Sequence, residues 1–549
     1  MRYPILLLLL LFSLQSYSQL LHPKNSFTRA DSLRGKLTPL RTCYDVQFYH
    51  LNIKVNPEQK YISGRNLFRF EAVTDFKELQ FDLFENLTID KVVYKGKTLP
   101  FRREYNAVFI SFPQTIKKGN QESFEVYYSG NPVEAQRAPW DGGFDWKKDK
   151  NGNPWIATAC EGLGASAWWP NKDHLSDEVD SMLISVAVPS SLMNISNGRL
   201  KSVEKGNDGY TTYHWSVSNP INNYNVALNI GDYVHMQDAY QGEKGKLDID
   251  YYVLRGNETI AKKHFGENVK PMLEALEHWF GPYPFYEDGY KLVETSHLGM
   301  EHQSAIAYGN KYKNGYLGTE SSGTGWGMKW DFIIIHESGH EWFGNNITAK
   351  DVADLWIHES YTNYSEALYI DYHYGKHASQ EYVNGNRRGI LNDTPMQGPY
   401  DVNKEGSGDM YLKGGVLHNM IRSMINNDEK WRAILRGLNK KFYHKTVDYQ
   451  DITSYVSRES GIDLSKVFEQ YVQHTNIPTL EVVWNNKGMP AARWISEVKD
   501  FKMPIAIGKK GEAKEQYTFD QQFKPVPIEQ LNRQNIDIDT FNYYIKVKM

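Results

Sequence analysis

The sequence predicts a multidomain chain: an N-terminal antiparallel β domain, an α-rich middle domain and a small C-terminal β-sandwich-like domain. Three observations lead there. Residues from about 40 to 245 alternate apolar and polar, with turn signals between the runs, as half-buried strands do. Helical spacing takes over from about 250 to 477, and short strand patterns return after it. The chain has 549 residues, room for about three to five domains of roughly 100–200 residues each.

Taken in order, the first element is an address. Arg2 precedes an apolar run from Ile5 to Phe12, and small residues stand at Ser16 and Ser18. A charged start, a short apolar core and a small-x-small end predict a secretory signal peptide over residues 1–18. The mature chain is then expected in the periplasm or outside the cell, with no membrane span after cleavage. The β domain is placed at 19–245. Its strand runs include Tyr49–Val55, Asn66–Ala72, Ser123–Tyr128, Met182–Val188 and Thr212–Val217, with turns at Lys95-Gly96 and Asn207-Asp208-Gly209. The middle domain is placed at 246–478. It opens with a helix over Glu258–Phe280, where Ile260, Val269, Met272, Leu273, Leu276 and Phe280 recur at helical spacing. Gly281-Pro282-Tyr283-Pro284 ends that helix, because proline cannot continue the hydrogen-bond ladder. Further helices are expected at Asp451–Val456 and Leu464–Gln473. The C-terminal domain, 479–549, is expected to hold strands such as Leu480–Trp484 and Tyr543–Val547.

Composition narrows the function. There are 62 basic and 66 acidic residues, a net charge of -4, and no basic stripe of the kind that binds nucleic acid. Mean hydropathy is -0.59, which excludes a multi-pass membrane protein. Two cysteines, Cys43 and Cys160, form either one bridge or two free thiols. Neither arrangement gives a Cys–Cys metal site, so a metal here must use histidine and carboxylate ligands.

Those ligands occur in Phe332-Ile-Ile-Ile-His336-Glu337-Ser-Gly-His340-Glu341-Trp342. On a helix, His336 and His340 lie one turn plus about 40° apart, so both rings point the same way. Two imidazole nitrogens at that spacing suit one zinc ion. Glu337 beside them suits a general base, because zinc lowers the pKa of water toward 7. A third ligand is required, and Glu359 lies nineteen residues after His340 on a segment with a helical pattern. Glu366 falls on the same face as Glu359, either as a buttress for a ligand or as a surface carboxylate. His358 reads as a packing residue.

HExxH, eighteen residues, then Glu resembles the signature of the zinc aminopeptidases of the aminopeptidase N and leukotriene hydrolase family, which are gluzincin metallopeptidases. The match extends from His336 to Glu366 and includes Trp342-Phe343-Gly344-Asn345 and Asp354-Leu355-Trp356. Leu298-Gly299-Met300-Glu301-His302 resembles the family's GxMEN motif, with Leu298 in place of the first glycine and His302 in place of the asparagine. Tyr411-Leu412-Lys413-Gly414 resembles its Tyr-x-Lys-Gly motif, and Thr158-Ala159-Cys160-Glu161 the end of its N-terminal domain.

The resemblance implies a thermolysin-like catalytic domain in a short form without the family's large C-terminal helical domain. It implies one zinc per chain on His336, His340 and Glu359, with Glu337 as base and Tyr411 stabilising the transition state. Substrate contacts are implied for Gly299, Met300, Glu301 and Glu161. An ammonium is held well only where charge compensates its lost water, which suits Glu301 and Glu161 to a substrate's free N-terminal amine. The expected function is hydrolysis of peptides from that end. The rivals are a thermolysin-like endopeptidase, an epoxide hydrolase with a lipid tunnel, and a binding protein on a dead peptidase fold. Oligomeric state is not readable from the sequence.

Overall fold

The structure is a computed structural model that describes residues 26–549. The expected signal peptide, residues 1–18, lies outside the described residues. The N-terminal part is built on an eight-stranded sheet. Its central strand, Tyr44–Asn56, alternates in burial along its length, and Tyr49, Leu51, Ile53 and Val55 drive one face into the core. Neighbouring strands add Phe68, Phe70 and Phe124 to the same cluster. The sheet is mixed at one place. Tyr44–Asn56 runs antiparallel to Tyr61–Ala72 but parallel to Ser181–Pro189, with Leu51 opposite Ile184. A three-stranded and a four-stranded sheet contribute residues such as Phe81, Ile110 and Ile156 to the same cluster.

A five-stranded sheet leads to the middle domain. Its strands Tyr233–Gly242 and Gly245–Leu254 form one hairpin, so the boundary placed at 245/246 falls just past its turn, and the second strand runs through residue 250, where helical spacing is expected to take over. The sheet ends on the short edge strand Gly299–Met300, paired with Ile306–Tyr308. The helices Glu258–Phe280 and Phe332–Gly339 pack against it, and Trp356–Tyr374 packs on those two helices. The first spans the expected residues, and its buried side includes Val269, Met272, Leu273, Leu276 and Phe280. Ile333, Ile334 and Ile335 of the second are buried, worth about 1.5–3 kcal/mol apiece relative to exposure. Trp356–Tyr374 is buried from Trp356 through Ile370, so its polar side chains must find partners inside the protein.

The helices Tyr449–Ser460 and Ser465–Val472 follow, and the C-terminal part forms a four-stranded and a three-stranded sheet. The expected strand Tyr543–Val547 shortens to Lys546–Lys548. Backbone acceptors before it are taken by side chains: Arg387 donates to the Tyr543 carbonyl at 3.4 Å and Tyr471 to that of Tyr544 at 2.7 Å. Cys43 and Cys160 are free and buried. Among the described residues, no helix is long and apolar enough to cross a membrane.

Candidate active site

The HExxH helix starts from a fixed point. Asp331 caps it by accepting from the backbone N–H groups of Ile333 and Ile334, satisfying donors that a helix start leaves free. The cap is itself held by Tyr308, which donates to Asp331 at 2.7 Å, and by Asn310 at 2.8 Å. His336 therefore leaves a helix anchored at its first turn. His340 stands at the helix end, where Phe343 and Gly344 break the helical path. Gly344 has φ +130, and a Cβ there would lie 3.1 Å from His340 Nδ1. Glycine lets the chain turn without pushing this ring aside.

Glu359 enters from the helix Trp356–Tyr374. Its Oε2 lies 3.6 Å from His336 Nε2 and 3.5 Å from His340 Nε2, and no hydrogen bond reaches that buried oxygen. Three donors around one tetrahedral zinc, each about 2.1 Å from it, are spaced by about 3.4 Å. Two imidazoles and one carboxylate with an orphaned oxygen thus fit zinc in both chemistry and spacing. Burial raises the Glu359 carboxyl, but His340 and His336 outweigh it and hold the group well below the usual range.

The far side of each histidine is also fixed. His336 Nδ1 lies 2.8 Å from Glu366 Oε1, and Glu366 accepts from Tyr382 at 2.6 Å and Asn363 at 3.1 Å. Of its two readings from sequence, Glu366 is the buttress and not a surface group. A carboxylate on Nδ1 leaves Nε2 free to ligate and raises its basicity. His340 Nδ1 faces the Phe343 carbonyl at 3.1 Å and Thr362 at 3.2 Å. His336 stacks on Phe332 and on Tyr411, at centroid distances of 5.2 and 5.9 Å. His358 is turned away: its Nε2 accepts from the Ala349 N–H at 2.7 Å.

These groups open into a cavity of about 480 Å³. Gly299, Met300, Glu301, Glu161, Glu337 and Tyr411 line it. Burial pushes the Glu337 carboxyl up; His336 opposes this and Glu301 adds to it, leaving it at about 7. Gly299 keeps Glu337 in place, since a Cβ there would sit 2.8 Å from its Oε1. Tyr411 comes from the helix Asp409–Ile425, and its hydroxyl is held well above its usual range by burial and the facing Glu359. Glu301 Oε1 accepts from Tyr224 at 3.0 Å, while its backbone carbonyl accepts from Asn345 at 2.7 Å. Glu161 Oε1 is buried and has no partner among the described residues. Burial, then Glu301 and Glu359, push the Glu161 carboxyl well up. The loop after Glu161 is braced by Arg34, which donates to the carbonyls of Gly162, at 3.3 Å, and Leu163. His302 lies outside the cavity and buried, and among the described residues neither ring nitrogen has a partner.

Sequence reasoning passed over Tyr224, Thr362, Tyr382, Asn363 and Glu405. Asn363, three residues before Glu366, and Thr362, three residues after Glu359, carried a local signal on one helix. Tyr224, Tyr382 and Glu405 reach the site from elsewhere in the chain, through loops or packing.

Residues 266–471 match the peptidase family M1 domain, and residues 45–224 match the peptidase M1 N-terminal domain. Aminopeptidase N of Lactobacillus helveticus is 23% identical over 465 residues, covering 79% of this chain and 51% of that protein. Leucyl aminopeptidase of Saccharolobus solfataricus is 23% identical, covering 73% of this chain and 50% of its own length. The chain spans about half the length of the curated relatives it matches. An M1 zinc metallopeptidase from Deinococcus radiodurans superposes with a TM-score of 0.66 at 19% identity, covering 81% of this chain and 96% of that one. Aminopeptidase A of Legionella pneumophila gives 0.75 at 16%, covering 92% and 60%. At these identities the superpositions speak for a shared fold. With both M1 domain models matched in order and the HExxH and Glu359 donors converging, the chain belongs to peptidase family M1.

Proposed function

We propose that this chain is a zinc aminopeptidase that removes residues from peptides with a free N-terminal amine, and that it holds one zinc per chain on His336, His340 and Glu359. The observation that carries the reading is the placement of Glu301 and Glu161 on the wall of the cavity that holds the three donors. Two carboxylates whose fields reach one another, one of them with an unpartnered oxygen, suit an ammonium and serve no evident structural purpose. The relatives named aminopeptidase N and leucyl aminopeptidase point the same way.

When bound, zinc supplies Lewis-acid polarisation of the scissile carbonyl and a lowered pKa for water. The rest falls to the chain. Glu301 and Glu161 bind the ammonium and so set the first peptide bond over the donors; Tyr224 keeps Glu301 from turning away. Glu337, held between Gly299 and the histidines, takes a proton from the attacking water on a carboxylate oxygen. The same oxygen then hands it to the leaving amine. The Tyr411 hydroxyl donates a hydrogen bond to the oxyanion as it develops. The apolar start of the sequence, Met1–Ser18, supports export to the periplasm or beyond the cell.

The test is a set of aminoacyl fluorogenic amides, each free and N-acetylated, assayed with and without a chelator. Hydrolysis of the free-amine set alone, lost on chelation and restored by zinc, is the expected result. Equal hydrolysis of the acetylated set would show an endopeptidase, and no hydrolysis by zinc-loaded protein would show a dead fold.

A further inference from the structure

One carboxylate in the cavity has no assigned work. Glu366 is bonded to Tyr382 and His336, Glu320 caps the N–H groups of Ser322 and Gly325, and Asp409 caps those of Leu391 and Asn392. Glu405 also lines the cavity, yet among the described residues no hydrogen bond or ion pair reaches it. Its neighbour Lys404 is turned away, with its ammonium 5.8 Å from the Phe27 ring centre. Among the described residues, no lysine or arginine lines the cavity. The Glu405 side chain is half-buried, and a carboxylate drawn partly out of water without a partner is costly until a cation pairs with it. Burial first, and Glu359 second, push the Glu405 carboxyl up to about 8.

The backbone that carries Glu405 is fixed. A Cβ on Gly398 would lie 2.8 Å from the Glu405 carbonyl carbon, and one on Gly406 would collide with the Met396 carbonyl. The loop is packed backbone to backbone, so Glu405 projects from a set position.

Its neighbours say which part of a substrate it faces. Glu405 lines the same cavity as Glu161, Glu359 and Tyr411, and its charge acts on all three. In the proposed function Glu161 holds the α-amine, while Glu359 and Tyr411 flank the scissile carbonyl. The first residue's Cα lies between those two points, and its side chain is what remains to meet Glu405. We propose that Glu405 is a specificity-determining residue that pairs with the guanidinium or ammonium of an N-terminal Arg or Lys, making such peptides the preferred substrates. This rests on the aminopeptidase reading.

The test uses the zinc-loaded full chain and two readouts. The first is kcat/KM on arginyl, lysyl, leucyl and glutamyl fluorogenic amides. The second is calorimetric binding of argininamide and leucinamide, which needs no turnover. The wild type is expected to prefer the arginyl and lysyl substrates in both. In Glu405→Gln the arginyl-to-leucyl ratio should fall by about tenfold or more, as for one lost charge-assisted hydrogen bond. Glu405→Lys should favour the glutamyl substrate. A wild type without cationic preference in either readout, or a ratio unmoved in Glu405→Gln, overturns the proposal. Absence of turnover with cationic preference kept in binding would instead count against the aminopeptidase reading alone.

Discussion

Glu366 shows how much of a metal site lies behind its ligands. It touches no metal position, but it fixes the ring of His336 and is fixed in turn by Tyr382 and Asn363. Glu366→Gln is expected to weaken zinc binding by about 10–100-fold, with the circular dichroism spectrum kept; a competition titration against a chelating dye reads this. Tyr411→Phe removes one oxyanion donor, so kcat should fall by about 10²–10³-fold, while zinc content stays at the wild-type level. Turnover within a few-fold of wild type would take Tyr411 out of the reaction. Glu337→Gln should keep its zinc and lose hydrolysis of amino-acid amides. At this scale the sequence was legible where chemistry imposes a spacing. His336, His340 and Glu359 could be named because helix geometry puts i and i+4 on one face and a third ligand is obligatory. Glu301, Glu161 and Tyr411 needed the family resemblance, since nothing local separates one glutamate or tyrosine from the others. Tyr382 was invisible because its partner comes from another segment.

Between residues and molecule stand the turns and helix crossings that hold the donors in place. The break after His340 depends on Gly344 at φ +130, a conformation costing about 1–3 kcal/mol for other residues. Gly344→Ala should lower thermal stability and zinc affinity together, because its methyl group meets the His340 ring. Unchanged zinc affinity would show that the ring does not depend on this turn. The Tyr411 helix crosses the Glu359 helix just as closely. Cβ atoms on Gly414 and Gly415 would lie 2.3 Å from the Ser360 Cβ and the Asn363 Oδ1. Helix Glu258–Phe280 was readable from its apolar period, since one face packs and the rest meets solvent. Helix Trp356–Tyr374 is buried nearly throughout, so its burial carries no period and its polar residues read equally well as surface. The parallel pairing of Tyr44–Asn56 with Ser181–Pro189 was not readable, because alternation reveals a strand's buried face and not its neighbour. The shortening of Tyr543–Val547 follows from side chains that arrive from far along the chain.

Across the molecule, burial of histidine ties stability to pH. His174 is pushed down to about 3, by burial first and Arg41 second. Its Nε2 donates to the Gly35 carbonyl at 3.2 Å, and its Nδ1 accepts from the Ser176 N–H at 3.2 Å, so the neutral ring is the one that fits. Unfolded histidine titrates near about 6.5. The unfolded chain therefore binds the extra proton first, and the contribution of His174 is full above that pH and shrinks as pH falls toward about 3. The melting-temperature gap between wild type and His174→Asn should accordingly narrow from pH 7.5 to pH 5, the shared buried carboxylates cancelling in the comparison. A gap that widens would contradict the assignment.

The claim on which the rest depends is that two histidines from one helix and Glu359 from another hold a single metal ion. Elemental analysis of purified full-length protein, wild type beside Glu359→Ala, tests it without any substrate. The account predicts zinc at close to one ion per chain in the wild type and a large loss in the variant. Wild-type protein that carries no zinc after purification with zinc supplied, or a variant that keeps its full share, would contradict it.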